Sequence, residues 1–159
     1  MKNFIVTIFN SVILIISMSV SADTADEIVE NSMEILDTLY SENDSAVSLG
    51  DKAVGILVFP AVLKAGIGIG GEYGEGVLIR KNLPLIFFNT VSASIGFQFG
   101  VQKKSQVILF MTQNALDEFL AKNGWEVGID GSIAIVDVSV AEDINSIVSS
   151  SPVIGFVLS

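Results

Sequence analysis

The sequence predicts an α+β domain: a mostly antiparallel, curved, Gly-rich β-sheet or partial barrel, packed with an N-terminal amphipathic helix and one or two short helices. Three observations predict this fold class. Apolar residues recur at helical spacing near the N-terminus. Much of the later chain alternates with period 2 between short connections, which favours hairpins. One of these runs carries glycine at every second position.

The first 22 residues are predicted to be an export signal. Lys2 supplies a positive start, residues 4–20 are mostly apolar, and Val20-Ser21-Ala22 offers small residues before a cleavage site. A single-pass anchor is the alternative, but polar residues interrupt an apolar run that is short for a span of about 20 residues. No cysteine is present for lipid attachment. We expect an exported chain, periplasmic or peripherally associated with an envelope membrane, with a single domain at residues 23–159.

Acidic residues exceed basic ones and are unevenly distributed. The chain has 8 Lys and Arg against 18 Asp and Glu, a formal net charge of −10 at pH 7. Residues 23–44 hold eight acids and no base, and residues 123–159 hold five acids and no base. Every base of the predicted mature chain therefore lies in residues 45–122. Nucleic acid is disfavoured, because it needs a basic stripe. An anionic membrane is compatible with a local positive charge, since screening acts over about 8–10 Å.

The first element after the signal is predicted to be a helix over residues 25–40. Thr24 with Glu27 forms a capping box, and an acidic face lies opposite an apolar stripe. We expect the stripe to pack on a sheet, because membrane-lying helices usually carry Lys and Arg on the polar face. Residues 41–51 are polar and are predicted to form a loop. The stripe consists of Ile28, Ser32, Ile35, Leu36 and Leu39.

From residue 53 onward the pattern predicts strands. Pro60 is expected to end the first of them, and turns are expected at residues 81–82 and at Lys103-Lys104. In residues 92–102 one face is apolar (Ala93, Ile95, Phe97, Phe99, Val101) and the other is small or polar (Ser94, Gly96, Gln98, Gly100, Gln102). The predicted strands are residues 54–59, 64–76, 77–80, 85–91, 92–102 and 106–111.

The C-terminal third predicts one more helix and further strands. Thr112 caps a helix over residues 113–122, closed at Asn123-Gly124. Residues 125–129 and 132–138 are expected to form a hairpin around Asp130-Gly131, followed by a short helical turn within residues 141–150. Residues 153–158 are the last strand. We expect either a truncated chain or an open sheet edge there, which could accept a partner strand.

Glycine occupies six of the 13 positions from 64 to 76. Gly66-x-Gly68-x-x-Gly71 fits the dinucleotide-binding pattern, but that pattern requires a following helix that receives a pyrophosphate. Here Glu72 and Glu75 follow instead, and they would repel phosphate. A glycine face allows a bend, or the close approach of a backbone or ligand. We expect close packing, with the N-terminal helix as partner, rather than a groove.

Four sequence motifs lie in order between residues 59 and 131. The first is Phe59-Pro60-x-Val62-x-Lys64-Ala65-Gly66-x-Gly68-x-Gly70-Gly71-x-x-Gly74-x-Gly76. Three others follow: Asn89-Thr90-Val91-Ser92-Ala93-Ser94, Gly96-x-Gln98-x-Gly100-x-Gln102 and Trp125-Glu126-Val127-Gly128-x-Asp130-Gly131. Together they resemble the SYLF domain family, and the resemblance implies a lipid-binding domain. Eukaryotic members bind phosphoinositide membranes and some are linked to actin regulation, whereas bacterial members are mostly exported and envelope-associated. An exported chain would not meet actin.

Catalysis and cofactors are disfavoured. The chain has no histidine and no cysteine, so the commonest metal ligands and general base are missing. Glu72 with Glu75, or Asp130, could at most offer oxygen ligands, and no calcium-loop spacing is present. Ser92 and Ser94 have no identifiable base within reach. We expect no enzyme activity, no metal and no cofactor.

Two functions remain open. The first is binding of an anionic phospholipid or membrane surface through a basic patch that the sheet presents together with an apolar groove or surface. Its candidate residues are Lys64, Arg80, Lys81, Lys103 and Lys104, supported by the structural motif Gly66, Gly68, Gly70, Gly71, Gly74, Gly76 and Trp125. The second is docking of an envelope protein through a sheet edge or the acidic N-terminal helix. Phe87, Phe88, Phe97 and Phe99 are expected in the core, and Trp125 suits either a core edge or a membrane interface.

Overall fold

The computed structural model describes residues 23–122, 133–138 and 150–159, without the side chains of residues 67, 68 and 92–100. Its described elements are α1 (Ala25–Glu42), α2 (Asp44–Lys52), β1 (Gly55–Ile79), β2 (Ile86–Phe110), α3 (Gln113–Ala121), β3 (Ile133–Asp137) and β4 (Val153–Leu158). The described strands form one sheet in the order β1-β2-β4-β3. β1 with β2 and β2 with β4 are antiparallel, and β3 with β4 is parallel. The predicted α+β class with a mostly antiparallel sheet is confirmed.

Helix α1 begins at the predicted capping box. The Thr24 hydroxyl accepts a hydrogen bond from the Glu27 backbone N–H, and the Glu27 side chain reaches back to the Thr24 backbone. Ile28, Ser32, Leu36 and Leu39 are buried, so the predicted stripe packs inward. Within the described residues, no helix is long and apolar enough to cross a membrane.

The predicted loop at residues 41–51 is wrong. Asn43 ends α1, and its side chain accepts a hydrogen bond from the Ala46 backbone N–H at 3.0 Å, which starts the nine-residue helix α2. Ala46 is fully buried, and Leu49 packs against the same core cluster. A helix this short depends on such packing rather than on its own propensity, and for that reason the polar composition was misleading.

Strands β1 and β2 are each 25 residues long and replace six shorter predicted strands. Pro60 does not end a strand, because it lies in a register shift between Phe59 and Val62, where a missing N–H costs no ladder hydrogen bond. The Ser105 hydroxyl instead donates to the Pro60 carbonyl at 2.8 Å. The predicted turn at Lys103-Lys104 is also wrong, since both lysines pair within β2 opposite Leu63 and Val62.

Other predicted elements are confirmed. The β1–β2 connection turns at residues 81–82, where Asn82 adopts a φ of 58°, a left-handed conformation that asparagine tolerates. Thr112 caps α3, accepting from the Ala115 N–H at 3.2 Å. Strand β4 spans residues 153–158 as predicted. The predicted elements at residues 125–129, 130–131 and 141–149 lie outside the described residues.

Strand β4 is not an open edge. It pairs with β2 on one side and with β3 on the other. In the described part of the sheet the edges are β1 and β3. The expectation that the last strand offers a template for a partner strand is therefore wrong, because both edges of β4 already pair with neighbouring strands.

The core consists of two clusters on opposite faces of the sheet. Val58 and Val107 pack with Leu36 and Leu39 of α1. Leu57 and Phe110, on the opposite face of the same two strands, pack instead with Leu116 and Phe119 of α3. This division follows from the period of 2, which sends successive side chains to opposite faces.

We predict that Gly76→Ala destabilises the fold by about 1–3 kcal/mol. A Cβ at this buried glycine would meet the Val58 carbonyl oxygen and the Phe59 ring. Gly155→Ala is the matched control, because the nearest atoms to its Cβ are 3.9 Å away, and it should change stability by no more than roughly 0.5 kcal/mol. Urea unfolding followed by circular dichroism measures both. Equal losses in the two variants would contradict the close approach at Gly76.

Candidate functional site

The β1–β2 ribbon bends sharply in its middle. Ile67 pairs with Phe99, whereas Ile69 pairs with Ile95, so β2 contributes two extra residues at this point. A Cβ on Gly66 would meet the Gly70 Cα and the Ile69 carbonyl oxygen. The chain therefore reverses within a few residues, and a glycine is needed at the inside of the bend.

The two halves of the ribbon face each other after this bend. A Cβ on Gly74 would lie 2.8 Å from the Ala61 carbonyl oxygen, and one on Gly76 would meet Val58 and Phe59. The partner that approaches the glycine face is thus the first half of β1 itself, not the N-terminal helix. The expected close packing is confirmed, but the expected partner is wrong.

A charged cluster lies between the two halves, near the bend. Lys64 Nζ is 3.5 Å from Glu72 Oε1, and Lys104 Nζ is 3.3 Å from Glu72 Oε2. The two lysines share this inner face because Lys64 pairs with Gln102 and Lys104 with Val62, one step further along both strands. Their side chains are 28% and 32% exposed, and that of Glu72 is 19% exposed. Two lysines around one carboxylate leave the cluster with a net charge of +1.

The outer, convex face of the bend carries exposed apolar side chains. Ile69, Val91 and Val101 are 73%, 72% and 73% exposed, and Leu63 is 37% exposed. Leu63 and Val101 share a face because their partners in the ladder are Lys103 and Ala65, and Ile69 and Val91 continue that face beyond the bend. We name Leu63, Ile69, Val91 and Val101 the apolar tip.

Lys103 stands beside the apolar tip. It pairs with Leu63 on the outer face and is exposed, whereas its neighbour Lys104 points to the inner face. The outer face of the bend therefore combines apolar side chains with one exposed cation.

Arg80 and Lys81 lie away from the other predicted site residues. Both belong to the connection between β1 and β2, where Arg80 Nη2 donates to the Pro84 carbonyl at 3.1 Å. Arg80 follows Glu72 by eight residues, roughly 26 Å along a strand. The expectation that the sheet presents all five cations together is wrong. The structure brings Lys64 and Lys104 together, places Lys103 on the opposite face, and separates Arg80 and Lys81.

An open cleft of about 670 Å³ lies between α1, the start of β2 and α3. Among its described lining residues Glu75 is the one ionisable group, so the lining includes no cation. The described lining of the cleft therefore offers no cation to an anionic head group. Phe88 packs against the Phe119 ring at a centroid distance of 5.0 Å, as expected of a core residue, whereas Phe87 is 44% exposed. The lining consists of Ile28, Glu75, Ile86, Phe87, Phe88, Asn89 and Leu120.

The Glu75 carboxylate, at the rim of this cleft, accepts two hydrogen bonds. Tyr73 Oη donates to Glu75 Oε1 at 3.0 Å, and the Asp23 backbone N donates to Glu75 Oε2 at 3.0 Å. The bond to the carboxylate raises the pKa of Tyr73, with smaller contributions from burial and from the negative charges of Glu75 and Asp23. Glu72 and Glu75 occupy opposite faces of β1, and within the described residues no group of three or more carboxylates could hold a metal ion.

The apolar tip is the part of the site that the sequence did not predict. The alternation in residues 92–102 predicts an apolar face that includes Val101, but it does not indicate that this face is convex and exposed. The available signal was the glycine alternation next to Ile69, which indicates a bend. Only the direction of the bend decides which face lies outside. Trp125 and the side chains of Phe97 and Phe99 lie outside the described residues.

We predict that Glu72→Gln lowers the free energy of unfolding by about 0.5–1.5 kcal/mol at low salt, a range that allows for partial solvent screening. The change leaves two half-buried lysines facing each other without a carboxylate. Glu34→Gln, on the exposed side of α1, is the control and should have no measurable effect. Urea unfolding at low and high salt measures the loss, which should shrink as salt rises. A loss that is independent of salt would argue against the ion pairs.

One segment of the chain matches a known protein family. Residues 91–157 match the family described as Ysc84, Las17-binding protein actin regulator. No curated protein matches the chain. The matched segment includes β2 from Val91 onward, α3, β3 and nearly all of β4. It supports a lipid-binding, actin-regulator-related domain in general terms. This match confirms the resemblance stated above over residues 91–157, which are similar to the SYLF domain family.

Proposed function

We propose that the protein is a non-catalytic, phospholipid-binding domain of the bacterial cell envelope that contacts an anionic membrane with its apolar tip. The observation that carries this proposal is the outer face of the bent ribbon, where Ile69, Val91 and Val101 are more than 70% exposed. Lys103 lies on the same face, two residues from Val101. Exposed apolar patches next to a cation suit the boundary between acyl chains and anionic head groups. The match of residues 91–157 to the SYLF family supports the lipid-binding part of the proposal.

Apolar burial is the larger energetic contribution in this proposal. Burying a Val, Leu or Ile side chain completely is worth about 1.5–3 kcal/mol, and Ile69, Val91 and Val101 still expose most of their surface. One lysine near an anionic surface adds about 1 kcal/mol. The Lys64–Glu72–Lys104 cluster adds a further net charge of +1 on the inner face. Attachment should therefore be reversible, and less sensitive to salt than a patch of five lysines would be.

Export is the second part of the proposal. The positive start, the apolar run and the small residues before Asp23 support a cleaved signal. The capped helix α1 starts at Ala25, so cleavage after Ala22 would leave the described elements whole. The mature domain would lie in the periplasm or be peripherally associated with an envelope membrane.

Docking of an envelope protein is the alternative. Strand addition at β4 is overturned, since β4 is paired on both sides. Docking through the acidic face of α1 is one outcome of the test below, because the apolar face of α1 is buried and its acids are exposed. No contact in the described residues favours it over the apolar tip.

We predict that Ile69→Asp and Val101→Asp each weaken binding to anionic vesicles at least tenfold, about 1.4 kcal/mol or more. Each change puts a charge where an apolar group would enter the membrane. Leu83→Asp is the matched control: Leu83 is 54% exposed but lies in the β1–β2 connection, away from the bend. Flotation with anionic and neutral vesicles at low and high salt measures the binding.

The outcomes separate the two functions. Flotation with anionic vesicles that is lost in the two tip variants and kept in Leu83→Asp supports the proposal. Equal loss in all three variants would contradict a role specific to the tip. No flotation of the unmodified chain with any vesicle would reject membrane binding and favour a protein partner for the acidic face of α1.

A further inference from the structure

The backbone nitrogen of Asp23 already contacts a carboxylate. It lies 3.0 Å from Glu75 Oε2, across 52 residues of sequence. The other carboxylate oxygen, Glu75 Oε1, accepts from Tyr73 Oη at 3.0 Å. Glu75 is half-buried at the rim of the cleft. Its position on β1, fixed by pairing with Asn89, therefore places a negative charge at the start of the capped helix.

This nitrogen is the atom that signal cleavage would change. Hydrolysis after Ala22 adds water across the Ala22–Asp23 peptide bond, leaving a carboxylate on Ala22 and an ammonium on Asp23 at neutral pH. An α-amino group has an ordinary pKa of about 7.7–8.0, so it is mostly charged below pH 7. The neutral amide that donates to Glu75 would become a cation at the same position.

A positive charge at this place needs a partner. The N-terminus of a helix carries about half a positive charge, so an ammonium there is repelled. The Glu27 carboxylate is already bound to the Thr24 N–H at 2.8 Å and to the Thr24 hydroxyl at 2.9 Å. Glu75 is the carboxylate that the fold supplies to the Asp23 nitrogen from another element.

We propose that Asp23, once freed by cleavage after Ala22, forms an ion pair between its α-ammonium and Glu75 that ties the start of α1 to β1. The pair strengthens an attachment that the uncleaved chain makes only through a neutral amide. It also fixes the first turn of α1, with Ile28, at one wall of the cleft. This inference rests on the proposed export and adds an effect of processing on the folded domain.

A double-variant cycle tests the pair independently of export. The chain beginning at Asp23 is prepared with a free and with an acetylated α-amino group, each with Glu75 and with Glu75→Gln, which keeps a hydrogen-bond acceptor. Thermal unfolding is recorded at pH 6.5 and low salt. Acetylation should lower the Tm by about 1–4 °C when Glu75 is present. It should lower the Tm by less than a third of that amount in Glu75→Gln.

Each result decides a separate point. An equal shift in both backgrounds, or no shift with Glu75 present, overturns the ion pair. Intact-mass measurement of the exported chain tests the processing. A mass that corresponds to a chain beginning at Asp23 supports cleavage after Ala22. A mass that corresponds to another first residue overturns the proposed role of processing, but the unfolding cycle can still be interpreted. Vesicle flotation depends on the apolar tip and not on Glu75, so a failure of membrane binding is distinguishable from a failure of this pair.

Discussion

The two halves of the β1–β2 ribbon approach each other closely, and the positions of the other site residues follow from this contact. The ribbon can fold over itself only if no side chain projects at the inside of its bend and at the points of closest approach in the second half of β1. Gly66 satisfies the first condition, and Gly74 and Gly76 satisfy the second. From this follow an inner face that holds apolar residues and one charged cluster, and an outer face that is convex at the bend. The exposed apolar tip is a direct consequence of that curvature.

The same curvature distributes the charges. Alternation along β2 sends Lys104 inward to Glu72 and Lys103 outward to the apolar tip. Adjacent lysines thus have different roles, one as part of an internal ion-pair cluster and one as a cation next to exposed apolar groups. A function argued from the number of lysines alone would overestimate the electrostatic contribution, because Glu72 offsets half of the charge of Lys64 and Lys104.

Much of the fold was predictable from the sequence, and the failures have physical reasons. Features that depend only on residues close in sequence could be predicted from local patterns. They are the capping box of α1, the cap of α3 at Thr112 and the turn at Asn82. The sequence predicts shorter strands than β1 and β2, because strands usually run about 3–10 residues and because Pro60 and Lys103-Lys104 are typical of strand ends. A bulge accommodates the proline, and the lysines are paired in the ladder. The site was only partly predictable, because the direction of the bend is a tertiary property.

A fluorescent reporter on the apolar tip shows whether this surface enters the membrane. The chain has no cysteine, so Val101→Cys gives a single labelling position for an environment-sensitive dye, and Leu83→Cys gives a matched position away from the bend. On addition of anionic vesicles, we expect a blue shift of emission at position 101 and no shift at position 83. A shift at position 83 alone, or at neither position while the protein is vesicle-bound, would contradict membrane contact through the apolar tip.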